Sequence, residues 1–201
     1  FGSVDSTRQF VTRYLRVHHA DVFFADALIL VEGPAERMLI PHFIKQHYPK
    51  IHHAYVTMLE IGGSHAHRLR PLIDALKIPT LVITDLDPQL DGHAEPAARD
   101  AGQRTGNPSL KQWLEQGDGI DDLLNLEQRM KEVAGDSQFS TRFAYQLPVN
   151  AKLDRSDEGE VIPSTFEDAL VFENVSFFSG LEGPGLATKF RDTLAPVSYT
   201  H

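Results

Sequence analysis

The chain contains no cysteine. That excludes disulfides, iron–sulfur clusters and thiolate zinc sites. It fits a reducing compartment, and the cytoplasm is the expected location. There is no apolar run of about 18 residues and no basic–apolar–small leader pattern, so no membrane partner is expected. Basic charge is scarce too: 19 Lys and Arg stand against 28 Asp and Glu, a net charge of −9. A domain that held nucleic acid by simple charge attraction would be basic. The deficit argues against that mode. It leaves room for an enzyme whose acids hold divalent cations, because bound cations reverse the local field.

What is present suffices for a core. With 201 residues and 41% hydrophobic content, one full domain is expected over 21–201, preceded by a leading helix or arm over 1–20. Phe1 is not a natural start, so a fragment of a longer protein is expected. "ALILV", 27–31, is a short apolar run bounded by turn residues and reads as a fully buried strand. Pro34 then suits the first turn of a helix whose buried face is Ala35, Met38, Leu39 and Phe43, with a kink expected at Pro41. "AYVTMLEI", 54–61, reads as a second strand closed by Gly62–Gly63, and Leu69, Leu72, Ile73 and Leu76 mark a second helix. "TLVITDLD", 80–87, reads as a third strand. This β-α-β-α-β order predicts an α/β fold with a central parallel sheet flanked by helices.

Residues 88–108 read as a long loop rich in Pro, Gly, Ala and Asp. Helices are expected at 109–116 and 120–133, the second burying Leu123, Leu126, Met130 and Val133, which makes about 88–135 a helical insertion. "RFAYQLPV", 142–149, suits another strand, and a helix is expected from about 165 to 178.

The informative feature is where the acids fall. Glu32 ends the first strand, and Asp85 and Asp87 end the third. Residues i and i+2 of a strand point the same way, and the carboxyl edge of an open parallel sheet is where ligands bind. Glu36 follows in the first helical turn. Two unit charges about 4 Å apart repel by about 4 kcal/mol at an effective dielectric near 20, so such a cluster needs a cation, protonation or wide spacing. Oxygen ligands without thiolate favour magnesium, manganese or calcium over zinc. Taken alone, Glu36 reads better as complementing the helix dipole, and Asp85–Asp87 before Pro88 equally well as a solvated turn.

Glu32-Gly33-Pro34-Ala35-Glu36 after an aliphatic strand, then Gly62-Gly63, then Asp85-Leu86-Asp87, resembles the Toprim domain. "FFADALILVEGPAERMLIPHF", "TGNPSLKQWL" at 105–114 and "TFEDALVFEN" at 165–174 resemble the OLD (overcoming lysogenization defect) family of nucleases. The resemblance covers about 20–175. It implies a Rossmann-like Toprim fold and cleavage of DNA by a two-metal mechanism with Mg2+ or Mn2+ as cofactors. It further implies an amino-terminal ABC-type ATPase that lies outside this fragment, with homodimerisation through that missing part. No Gly-x-x-x-x-Gly-Lys-Ser/Thr loop occurs in this chain. By position, the resemblance makes Glu32, Glu36, Asp85, Asp87 and Glu167 metal ligands, with Glu32, Asp85 and Asp87 catalytic. It also calls for a basic residue at the scissile phosphate, either Lys189 or Lys111, lysine being a phosphate point charge.

Each assignment has a plainer counterpart. Ser164-Thr165-Phe166-Glu167 is also a capping-box sequence. Glu173 falls on an apolar face with Phe166, Ala169, Leu170 and Phe177, where a buried acid would need a partner. Gly62–Gly63 with Ser64 and His65 suit either backbone N–H groups beside a phosphate or a tight turn. His52, His53, His65 and His67 lack His-Glu-x-x-His spacing and read as surface residues. Two other functions remain open: a doubly wound phosphatase or phosphotransferase with Asp85 as nucleophile, and a non-catalytic regulatory module whose acids bind a structural cation.

Overall fold

The structure is a computed structural model and describes residues 17–114, 117–127, 132–134, 139–152, 159–185 and 188. A 3-10 helix, Val17–Phe24, precedes β1 (Ala27–Val31), α1 (Pro34–His47), α2 (Pro49–His52) and β2 (Val56–Glu60). A second 3-10 turn, Ala66–Leu69, leads into α3 (Arg70–Leu76) and β3 (Thr80–Ile83). There follow β4 (Pro88–Leu90), β5 (His93–Ala94), β6 (Arg104–Thr105), α4 (Pro108–Trp113) and α5 (Ile120–Asn125). The remainder is β7 (Glu132–Ala134), β8 (Ser140–Ala144), β9 (Val149–Ala151), β10 (Gly159–Val161), α6 (Phe166–Glu173) and α7 (Val175–Ser179). Among the described residues no helix is long and apolar enough to cross a membrane.

The chain divides into two compact units. The first comprises Phe1–Asp85, Asn107–Asp118 and Asn125–Tyr145, and the second Leu86–Gly106, Gly119–Leu124 and Gln146–His201.

The first unit is built on a five-stranded sheet in the order β2-β1-β3-β8-β7. β2, β1, β3 and β8 run parallel, and β7 is antiparallel at the edge. β1 is central and covered on both faces, which is why its sequence is an unbroken aliphatic run rather than an alternating one. Ile29 and Val31 face Ile40 and Ile44 of α1, together with Leu81 and Ile83. Leu28 and Leu30 point the other way and pair in register with Thr80 and Val82. On that second face Trp113 of α4 meets Phe143 edge-on, ring centroids 5.2 Å apart.

Several sequence expectations change here. Helix α1 runs through Pro41 without interruption, and its buried side is Glu36 and Ile40. Met38 is 73% exposed. The face was misjudged because the sheet lies against Ile40 and Ile44, leaving Met38 on the solvent side. The expected helix 120–133 stops at Asn125, residues 132–134 form β7, and Met130 lies outside the described residues. The fourth parallel strand is Ser140–Ala144, somewhat earlier than the 142–149 run suggested.

In the second unit, the segment read as a loop holds a three-stranded antiparallel sheet, β5-β4-β6. Its strands are of two or three residues, too short to show a hydrophobic period. β9 and β10 form an antiparallel pair, and Arg99 bonds Glu160 of β10 at 2.5 Å. The helix expected over 165–178 is two helices divided at Asn174. Val171 and Phe178 are their buried anchors, while Phe177 is exposed.

Leu30 has no solvent exposure. Leu30→Ala should therefore cost about 2–5 kcal/mol, whereas Met38→Ala should stay within about 0.5 kcal/mol of wild type. Urea unfolding of the two variants checks this, and equal losses would contradict the assigned faces.

Candidate active site at the carboxyl edge of the sheet

Glu32 is the residue immediately after β1, and the ends of three strands meet on it. Its carbonyl accepts the Gly63 N–H at 3.2 Å, which ties the end of β2 to the end of β1. Gly62 and Gly63 hold φ of 64° and 95°, a left-handed path that side chains rarely adopt. The pair is therefore a tight turn whose second N–H is engaged by Glu32.

The Glu32 carboxylate is held from beyond β3. Its Oε1 accepts from the Thr84 hydroxyl, from the Asp85 N–H at 3.2 Å and from Asn107 Nδ2 at 3.2 Å. Asn107 is wholly buried, and Thr84 nearly so. Asn107 Nδ2 also lies 2.6 Å from Thr84 Oγ1 and 2.8 Å from the Asp85 carbonyl. On its other side, Asn107 caps α4, its Oδ1 accepting from Ser109 N at 2.9 Å and Leu110 N at 3.3 Å. Pro108 follows at the first helical position, where its missing N–H costs nothing. Ser109 continues the network, donating to the Ser64 carbonyl at 2.8 Å and accepting the His67 N–H at 3.2 Å. These contacts all lie within the first unit.

Residues 23–87, which include Glu32, Glu36, Asp85 and Asp87, match the family model described as overcoming lysogenization defect protein-like, TOPRIM domain. Over residues 23–87 the match is to an OLD-like TOPRIM domain. The four parallel strands of the first unit, three of them within that segment, and their flanking helices are the α/β Toprim fold. The chain is similar to Endonuclease GajA of Bacillus cereus (strain HuB5-5), with 25% identity over 170 residues. That match covers 83% of this chain and 22% of GajA, so the chain spans about a fifth of the length of this relative. No solved structure matches the chain.

Within the TOPRIM segment the acids differ in their surroundings. Glu36 is buried, and its Oε2 accepts the Gly33 N–H at 3.2 Å, so it serves the first turn of α1. Asp85 and Asp87 lie past the end of β3, and Asp87 has φ of 46°. Strand alternation therefore does not govern that pair; the turn does. In the second unit the turn's backbone is closed by Gln146 Oε1 on Leu86 N at 2.9 Å, the Thr105 hydroxyl on the Leu86 carbonyl at 2.6 Å, and Gly106 N on the Asp87 carbonyl at 2.6 Å. A Cβ at residue 106 would stand 3.2 Å from that carbonyl and collide with the Gln89 side chain, which explains the glycine.

Beyond the TOPRIM segment, the capping box of α6 is Thr165 with Asp168, not Ser164 with Glu167. Thr165 Oγ1 accepts from Asp168 N at 3.2 Å, and Asp168 Oδ2 accepts from Thr165 N at 3.3 Å. Glu167 is left exposed, with the cap taken by its neighbour. Glu173 is also exposed, because α6 ends there and the apolar period does not continue. Lys111 is exposed on α4, and Lys189 lies outside the described residues. His52 and His53 are exposed as expected, but His65 and His67 are half-buried. Burial, with Arg68 adding, lowers the pKa of the His67 imidazole.

Among the described residues no three His, Asp or Glu side chains form a ready metal-holding group. Sequence reasoning missed Thr84, Asn107 and Ser109. Asn107-Pro108 did carry a signal, a strong cap residue followed by Pro at N1.

Burial raises the Asp87 carboxyl above the usual 3.8. The folded protein therefore keeps a proton that the unfolded chain has released, so this contribution is complete below pH 3.8 and is lost as pH rises through the folded value. Asp87→Asn cannot ionise. Its urea midpoint should fall less than that of wild type as pH rises above 3.8; identical slopes would contradict the assignment.

Proposed function

We propose that this chain is the nuclease part of a longer ATPase–nuclease protein, and that it hydrolyses DNA phosphodiester bonds with Mg2+ or Mn2+. The supporting observation is a coincidence of two independent features. The TOPRIM match falls on residues 23–87, and within that segment the strand ends gather on Glu32, β2 at its carbonyl and the turn after β3 at its carboxylate. The similarity to Endonuclease GajA points to the same chemistry.

The donor set fits hard divalent cations. It is all oxygen, and it includes a carboxylate whose Oε1 is oriented by three hydrogen-bond donors. Glu32 and Asp85 would hold a cation in the first unit. The family resemblance assigns Asp87 and Glu167, both of the second unit, to metal binding as well. The resemblance assigns Glu36 as well, whose Oε2 also accepts the Gly33 N–H at the start of α1. When bound, a pair of such ions supplies activation of water and stabilisation of the leaving oxygen. The protein's own part is to fix the carboxylates. A lysine, Lys189 or Lys111, would steady the phosphate as a point charge. With a net charge of −9, bound cations would favour the approach of DNA to this edge.

Purified protein should nick supercoiled plasmid in Mg2+ or Mn2+ and lose that activity in excess chelator. Glu32→Ala/Asp85→Ala should reduce nicking at least about 100-fold. Mg2+ should raise the melting temperature of wild type and not of the double variant. Full nicking in chelator would overturn the proposal. A metal-dependent melting shift without nicking would identify a structural cation site instead, and an aspartyl-phosphate trapped on Asp85 a phosphotransferase.

A further inference from the structure

We infer that Thr84 and Asn107 are positioning residues that fix the Glu32 carboxylate through a one-way hydrogen-bond relay starting at the first turn of α4. The inference rests on the nuclease reading of Glu32 and adds two residues to it.

The direction of the relay follows from donor and acceptor chemistry. Backbone N–H groups can only donate, so the Asn107 atom facing Ser109 N and Leu110 N must be the carbonyl oxygen. The amide nitrogen then faces Thr84, Asp85 and Glu32. It has two hydrogens for three acceptors. The two short contacts, Thr84 Oγ1 at 2.6 Å and the Asp85 carbonyl at 2.8 Å, are the strong ones, and Glu32 Oε1 at 3.2 Å shares a hydrogen as the weak third contact. Thr84 Oγ1, already accepting from Asn107, directs its single hydrogen to Glu32 Oε1. The Asp85 N–H donates to the same oxygen. Every member points one way, and flipping the Asn107 amide would set donor against donor at Ser109 and Leu110 and acceptor against acceptor at the Asp85 carbonyl.

The relay also sets Asp85. Asn107 holds its carbonyl while Glu32 holds its N–H, so the backbone of the second acid is fixed from both sides. Thr84 N in turn donates to the Ala144 carbonyl at 3.0 Å, anchoring the turn to the end of β8. Thr84 and Asn107 are buried away from solvent. Their effect on catalysis therefore passes through Glu32 and Asp85.

The test compares Thr84→Val, Thr84→Ser, Asn107→Asp and Glu32→Gln with wild type. The readouts are kcat and KM for plasmid nicking, Mn2+ affinity by titration of the DNA-free protein, and melting temperature. Thr84→Val removes the hydroxyl and should lower kcat about 10–100-fold with little change in KM for DNA, and weaken Mn2+ binding by a similar factor. Thr84→Ser keeps the hydroxyl and should restore both. Asn107→Asp keeps the oxygen that caps α4 but loses the amide hydrogens, and should behave as Thr84→Val does. Wild-type kcat and Mn2+ affinity in Thr84→Val, alongside loss of both in Glu32→Gln, would overturn the inference. So would equal losses in the Val and Ser variants, which would mark a packing effect. Wild-type nicking by Glu32→Gln would instead refute the nuclease reading. The positioning role would then be judged on Mn2+ affinity alone, and unchanged binding in Thr84→Val would overturn it.

Discussion

A carboxylate at the end of a central, doubly covered strand cannot simply be left there. Glu32 is half-buried, and without partners its charge would be poorly solvated there. Around Glu32 the first unit answers this with donors drawn from elsewhere in the sequence: Thr84 and Asp85 after β3, and Asn107 at the start of α4. Each partner is in turn held by its own element. The cap of α4, the turn after β3 and the end of β8 are thereby linked to one acid. The sheet order follows the same logic, since β1 lies between β2 and β3 and only a central strand can gather contacts from both neighbours.

This arrangement separates two jobs that acids in one segment could share. Glu36 lies four residues after Glu32 but closes the N-terminus of its own helix. Glu32 is oriented by side chains and turns from distant positions. The two carboxylates thus differ in what orients them, the start of α1 for Glu36 and distant turns for Glu32. The same holds at α6, where adjacent acids divide the labour: Asp168 caps the helix and Glu167 faces solvent.

Much of the first unit was legible in the sequence because parallel strands declare themselves. "ALILV" and "TLVI" are aliphatic runs with turn residues after them, and the acids that follow mark the carboxyl edge. The second unit was harder. Strands of two and three residues carry no period, so β4–β6 read as loop. The face of α1 was misread at Met38 because spacing fixes a stripe only to within a residue or two. At the site, the acids could be found from their positions, but Thr84 could not. A threonine before an aspartate has no distinctive pattern, and its role depends on contacts with Glu32 and Asn107, far away in sequence.

The central claim is that Glu32 and Asp85 form a cation-holding edge. The most direct measurement is an anomalous difference map from crystals of this protein soaked in Mn2+. The account predicts a manganese peak bonded to carboxylate oxygens of Glu32 and Asp85. A well-ordered map with manganese bound elsewhere, and none at these two residues, would contradict it.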